Sequence, residues 1–196
     1  MLCRVATQAQ NKVMSFDGVN KHVDLGGSVA RGIRTIEIWF NLEAAINAQA
    51  LNYSPLIVRD ETTNADEFGL TFLHSSTSNS GELLFYLFTG SNTSYRLYSN
   101  SNNWNANQWY RIAAVIHPPQ GMMLFIDGIK QNSTSSFLFP TIIPSSSTLI
   151  GSCGSSVLFY FNGSIDNLRF SNTALYSSNF TPSYPGLVAL SSTIGV

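Results

Sequence analysis

Along most of the chain, hydrophobic and polar residues alternate with a period of two, the repeat of a strand with one face in a core and the other towards water. In "RTIEIWFN" Ile36, Ile38 and Phe40 fall on one side, with Thr35, Glu37, Trp39 and Asn41 on the other. "GELLFYLFTG" is apolar at both parities, which predicts a central strand covered on each face. "QWYRIAAVI" and "GMMLFID" are joined by "HPPQG", a hairpin connection bearing Pro and Gly. Further strand-like runs are "LIVRD", "FGLTFLH", "SYRLYS", "TLIG", "VLFYF" and "SIDNLRFS", each bounded by Ser, Asn, Gly or Pro. About a dozen short strands at this spacing predict an all-β fold, an antiparallel β-sandwich of the jelly-roll type. Only "TALYSSNF" reads as a helical turn. No internal repeat or composition break divides the chain.

Two Asp-Gly pairs punctuate this pattern. Asp127-Gly128 lies between "LFI" and "IKQ", where Asp-Gly is the signature of a type I′ hairpin turn. Turn chemistry is therefore expected of Asp127 rather than ligand binding. Asp17, in "SFDGVNKHVDLG", stays open between the two roles. Asp166 shares parity with Leu168 and Phe170 in "GSIDNLRFS", so it is expected to point inward and to need a cation, an Arg or several backbone N–H groups.

Composition changes the picture of the surface. Charged residues are 11% of the 196 positions, against roughly 25% in ordinary domains. Asn, Ser and Thr, at 18, 27 and 14 residues, supply a neutral surface rich in hydrogen-bonding groups instead. Net charge is −1 and the ten Lys and Arg are scattered, so no basic stripe exists to neutralise nucleic acid. No apolar run is long enough for a membrane span. "MLCRVATQAQNK" lacks the apolar stretch of a secretory signal, and no signal peptide is visible. Cys3 and Cys153 could pair only if the start of the chain folds back. The N-x-S/T triplets at Asn52, Asn92, Asn132, Asn162 and Asn179 are about as many as this composition produces by chance.

Catalytic patterns are missing. There is no G-x-S-x-G elbow, no C-x-x-C or H-x-x-x-H, and no glycine-rich loop before a helix. His22, His74 and His117 lie far apart without supporting acids in pattern. The acidic run "RDETTNADEF" reads as a solvated loop, with a cation site of Asp60, Asn64 and Asp66 as the alternative. The chain is expected not to be an enzyme. For sugar binding, an aromatic surface flanked by amides is required. "SNSNNWNANQW" offers Trp104 between Asn103 and Asn105 in a loop, as a sugar platform or, alternatively, as a ring packed over the sandwich rim.

In order along the chain, "MSFDGVNKHVDLG", "RTIEIWFN", "NQWYRIAAVIHPPQGMMLFIDGIKQ", "TLIGS" and "FNGSIDNLRFSNTALYSSNF" resemble the laminin-G-like, concanavalin A-like lectin/glucanase superfamily over roughly residues 14–180. The resemblance implies two large antiparallel sheets, one convex and one concave. It implies that Trp109 begins a long central strand and packs in the core, with Trp39 structural too. The glucanase branch carries alternating acids on one strand, and no such strand exists here. Many relatives hold a structural calcium where the first and last strands meet, and Asp17 and Asp166 resemble positions that could serve it, although calcium wants six or more oxygens. Otherwise no cofactor is expected.

The expected organisation is an N-terminal arm at 1–13, a sandwich at 14–181 and an apolar tail at 182–196. Two functions stay open, because this fold hosts many. One is a non-catalytic glycan-binding or adhesion domain at a cell surface or outside the cell. The other is a structural subunit of a large assembly, such as a minor capsid or appendage protein of a virion, docking on other protein subunits through the tail.

Overall fold

The computed structural model describes residues 13–27, 32–46, 53–59, 68–74, 79–89, 93–118, 120–134, 147–153 and 159–183. Among them the period of two becomes β1 (Met14–Asp17), β2 (Val23–Asp24), β3 (Thr35–Leu42), β4 (Tyr53–Arg59), β5 (Phe68–Leu73), β6 (Leu83–Thr89), β7 (Thr93–Tyr98), β8 (Trp109–His117), β9 (Gly121–Ile126), β10 (Ile129–Ser133), β11 (Thr148–Ile150), β12 (Ser152–Cys153), β13 (Phe159–Tyr160) and β14 (Asn162–Ser171). Sheet A has the order β1-β14-β3-β8-β9-β10 and sheet B the order β2-β11-β4-β5-β6-β7, with β12-β13 a separate hairpin. All pairings are antiparallel. The fold is an antiparallel β-sandwich, as the alternation predicts.

Between the sheets lies one core. Ile36, Ile38, Phe40 and Leu42 of β3 and Ile112 and Ala114 of β8 meet Phe68, Leu70 and Phe72 of β5 and Leu83, Phe85 and Leu87 of β6. Trp104 belongs to this core, so of its two readings the packed ring is the one formed and the open sugar platform is not. It is 4% exposed. Its ring is edge-on to Phe40, Phe72 and Tyr110 at 5.6, 5.1 and 5.1 Å, and its indole N–H donates to the Gly81 carbonyl at 2.8 Å. A large ring that buries its surface and finds a partner for its one polar atom gains more than an exposed one. Trp109 departs from the core packing expected of it, while Trp39 lies on the side of β3 that the alternation gives it. Both are half-buried; Trp39 lies opposite Arg111 and Trp109 opposite Asn41, on the outer face of sheet A.

That outer face carries a second, smaller apolar cluster. Ala113, Val115, Met123 and Phe125 are covered by Ala174, Tyr176 and Phe180. The segment 172–183 is thus a strap across β3, β8 and β9, and no helical turn forms in it. Thr35 clamps its start, donating to the Thr173 carbonyl at 2.8 Å and accepting from the Leu175 N–H at 3.1 Å. Its far end is fixed where Phe180 N–H donates to Gly128 O at 2.9 Å and Asn179 accepts from Lys130 N–H at 2.9 Å. Beneath the strap Glu37 is buried and paired with Arg111. The Tyr176 hydroxyl donates to Glu37 Oε1 at 2.8 Å and accepts from Arg111 at 2.9 Å. Tyr176 and Phe180 stack at 3.6 Å, and the Arg111 guanidinium lies 5.8 and 5.1 Å from their ring centres. Burial, then the Glu37 carboxylate, raises the Tyr176 hydroxyl pKa, so it stays a donor at neutral pH.

Both Asp-Gly pairs turn the chain. Asp127 and Gly128 have φ of 49° and 77°, as a type I′ turn requires, and Asp127 Oδ1 accepts from Arg111 N–H at 2.8 Å. A methyl group at Gly128 would strike the Phe180 carbonyl. At the end of β1, Asp17 Oδ1 accepts from the N–H groups of Val19, Asn20 and Lys21 at 3.0, 3.1 and 3.2 Å. Those backbone bonds, led by Asn20 and Val19, lower its pKa from 3.8 to about 2. Cys3 lies outside the described residues, and with it any pairing to Cys153.

Three outcomes are expected of stability measurements. Trp104→Ala lowers the unfolding free energy in urea by about 3–5 kcal/mol, the range for a buried aromatic. Glu37→Ala, which leaves Arg111 buried without its carboxylate, costs about 3 kcal/mol, against about 1 kcal/mol for Tyr176→Phe. Because the folded pKa of Asp17 is depressed, its charge stabilises above pH 3.8 and the contribution fades as pH falls through about 2. The melting-temperature deficit of Asp17→Asn should therefore be full at pH 6 and shrink across that acid window.

Candidate functional site

The outer face of sheet B is built by the strand period. Since Phe68, Leu70, Phe72, Leu83, Phe85, Leu87 and Leu97 face the core, the alternate positions Gly69, Thr71, Leu84, Tyr86, Phe88, Arg96 and Tyr98 face away. Register brings three strands together at one point: Tyr86 of β6 lies opposite Gly69 of β5 and Arg96 of β7. Gly69 decides the shape. A Cβ there would come within 2.6 Å of Tyr86 Cζ and hydroxyl oxygen, so the ring lies across the β5 backbone where a side chain would otherwise stand. Phe88 meets Tyr86 edge-on at 5.7 Å, and the Arg96 guanidinium is 5.8 Å from the Phe88 ring centre. Tyr86, Phe88 and Tyr98 are half-buried and Arg96 is exposed.

Chemically this is an aromatic platform with a cation at its edge. A ring lying flat on a sheet can stack against the C–H face of a sugar, while a guanidinium supplies fixed donors to hydroxyl or carboxylate oxygens. The alternation alone does not reveal it, because the doubly apolar "GELLFYLFTG" predicts a strand covered on both faces. Two signals could have found it: a glycine inside the strand "FGLTFL", which marks close approach, and the cation in "SYRLYS".

The residues expected to bind are arranged otherwise. Asn103 and Asn105 are exposed beside the buried Trp104. Asn105 donates from its backbone to the Tyr110 hydroxyl at 2.9 Å and from its side chain to Gln108 at 2.9 Å, and Asn103 N–H contacts Ser101 Oγ at 3.4 Å. These amides fix a rim loop around a ring whose faces are occupied.

Asp17 and Asp166 do not come together as a calcium pair. Asp17 lies opposite Asn162, four positions along β14 from Asp166, which is about 13 Å at strand rise. Asp166 also departs from its expected inward orientation. A one-residue bulge between Asp166 and Arg169, with Asn167 at φ 49°, resets the parity of β14. Asp166 then faces outward opposite Trp39, accepting the Asn167 N–H at 2.7 Å, while Leu168 and Phe170 pack on the core. With one Asp17 oxygen engaged by three backbone donors, the donor set fits calcium poorly. No group of three or more His, Cys, Asp or Glu gathers among the described residues. Asp60, Asn64 and Asp66 lie outside them.

Solved structures share the fold. A SAP-like pentraxin from Limulus polyphemus is 17% identical, with 87% of this chain and 80% of that one covered at a TM-score of 0.60. The CBM40 of the Ruminococcus gnavus IT-sialidase, bound to α2,3-sialyllactose, is 17% identical over 85% and 91%, TM-score 0.63. Domains LG4-5 of the mouse laminin α1 chain are 15% identical over 89% and 48%, TM-score 0.53. No curated protein matches the chain by sequence. The family model described as the concanavalin A-like lectin/glucanases superfamily matches residues 17–179, five-sixths of the length, and the chain belongs to that superfamily.

Proposed function

We propose that this chain is a non-catalytic glycan-binding module of the adhesive type, and that its ligand lies across the outer face of sheet B. The observation that carries the reading is the Tyr86 ring laid over Gly69, flanked by Phe88 and Arg96. A glycine that leaves room for a flat, half-exposed tyrosine gives a sheet a stacking surface that core packing alone does not require. Neighbours of the same fold support the direction: one holds α2,3-sialyllactose, and another, a domain of an arabinanase from Geobacillus stearothermophilus, is in complex with arabinotriose. Sugar C–H groups would stack on Tyr86, with Arg96 donating to oxygens at the edge.

The reading of a virion or other assembly subunit drew on the apolar segment 182–196. Residues 184–196 lie outside the described residues, and the Tyr86 face favours the glycan reading.

Glycan-array binding followed by calorimetry on the best ligand is the test. Tyr86→Ala should weaken binding at least tenfold, about 1.4 kcal/mol, with an unchanged circular dichroism spectrum. Gly69→Val, which displaces the ring, should do the same. Arg96→Gln should weaken acidic ligands more than neutral ones. Unaltered affinity in both Tyr86→Ala and Gly69→Val would remove the site.

A further inference from the structure

Where β14 runs out into the strap, a cleft of about 430 Å³ opens beside Ile33 and shares no residue with the Tyr86 face. Its apolar wall is Ile33, Phe170 and Leu175, and its polar groups come from Arg169, Asn172 and Thr173. The volume suits a ligand of one or two sugar rings.

Three observations give the cleft a character. First, its frame is fixed. Arg34 N–H donates to Ser171 O at 2.7 Å, the buried Thr35 hydroxyl donates to Thr173 O at 2.8 Å, and Leu175 N–H returns to that hydroxyl at 3.1 Å. A lining held at three points loses little freedom when a ligand enters.

Second, the charge is unbalanced. The Glu37 carboxylate is already matched by the buried Arg111 and by the Tyr176 hydroxyl. Arg169 approaches the same carboxylate only at 3.6 Å, on Oε2, with 64% of its side chain exposed. Two guanidinium groups thus face one carboxylate, leaving one positive charge at the mouth of the cleft. The Glu37 contact orients Arg169 without occupying its fork, which matches a carboxylate in two-point fashion.

Third, the bulge at Asn167 is what turns Arg169 outward while Phe170 stays against the core, so the cation and the apolar wall are adjacent residues facing different ways. The Asn172 amide and Thr173 hydroxyl are exposed at the rim.

We propose that this cleft is a second binding site, independent of the Tyr86 face, for a small carboxylate-bearing carbohydrate of the uronate type. The carboxylate pairs with Arg169, ring hydroxyls meet Asn172 and Thr173, and the apolar ring face lies on Phe170 and Leu175.

Titration of the isotope-labelled full chain with glucuronate, followed by amide chemical shifts, tests it, with glucose as the neutral control. Saturable shifts at residues 33–35 and 169–175 are expected, with glucose at least tenfold weaker there. Arg169→Gln should lower the glucuronate affinity read at those residues at least tenfold, and Arg169→Lys should give an intermediate value. Equal response to glucose, shifts elsewhere only, or an Arg169→Gln affinity equal to the parent would each overturn the proposal. Loss of glycan binding at Tyr86 with the glucuronate response intact would separate the two sites.

Discussion

A buried carboxylate on the wrong side of a sheet governs much of this structure. Glu37 points away from the main core, yet it is buried, and a charge out of water must be matched or it destabilises the fold. Arg111 on the adjacent strand matches it, and the Tyr176 hydroxyl engages both. That hydroxyl belongs to the strap, so the ion pair and the strap each need the other. Ala113, Val115, Met123 and Phe125 supply the apolar ground on which Tyr176 and Phe180 settle. The result is a sheet A whose outer face is covered over β8 and β9 by its own chain. Sheet B has no such described cover at Tyr86, and its aromatic row remains half-exposed. The division of labour between the sheets follows from where the strap is pinned.

The strands were legible because alternation survives tertiary context when one face is buried. "RTIEIWFN" places Ile36, Ile38 and Phe40 inward as its spacing predicts, and Asp127-Gly128 turns as its chemistry demands. Asp166 failed because parity counts residues, and a bulge adds one without a strong local signal: Asn167 is an acceptable left-handed residue but not a diagnostic one. Trp104 stayed open between platform and packed ring because amide-rich surroundings describe the loop, not the ring. Gly81, 23 positions away, receives its indole proton, and Phe40 and Phe72 enclose it. The candidate site was hardest to see, since Tyr86, Gly69 and Arg96 come from three strands and only register joins them. Helix-like "TALYSSNF" misled for a related reason: its apolar residues follow the surface beneath them rather than a helical period.

Both ligand-facing surfaces rest on the same kind of local decision, one residue that frees space or shifts direction. At Gly69 a missing side chain lets a ring lie down. At Asn167 an added residue turns a guanidinium outward. Neither change disturbs the core, since Leu70 and Ile165 keep their inward places on either side. A sandwich of this sort can acquire or lose a surface by small edits to a strand whose inner half is constrained.

The Gly128 turn has a consequence for anyone using this fold as a scaffold. Tips of β-hairpins are the usual places to graft a foreign peptide, because they are exposed and tolerate length changes. Here the tip between β9 and β10 is roofed: Phe180 bonds to it and its carbonyl fills the room above Gly128. Lengthening that loop would lift the end of the strap and loosen the ring stack over Arg111. Though drawn as a terminal turn, it behaves as an internal joint, and a graft placed there would be felt at the buried carboxylate two strands away.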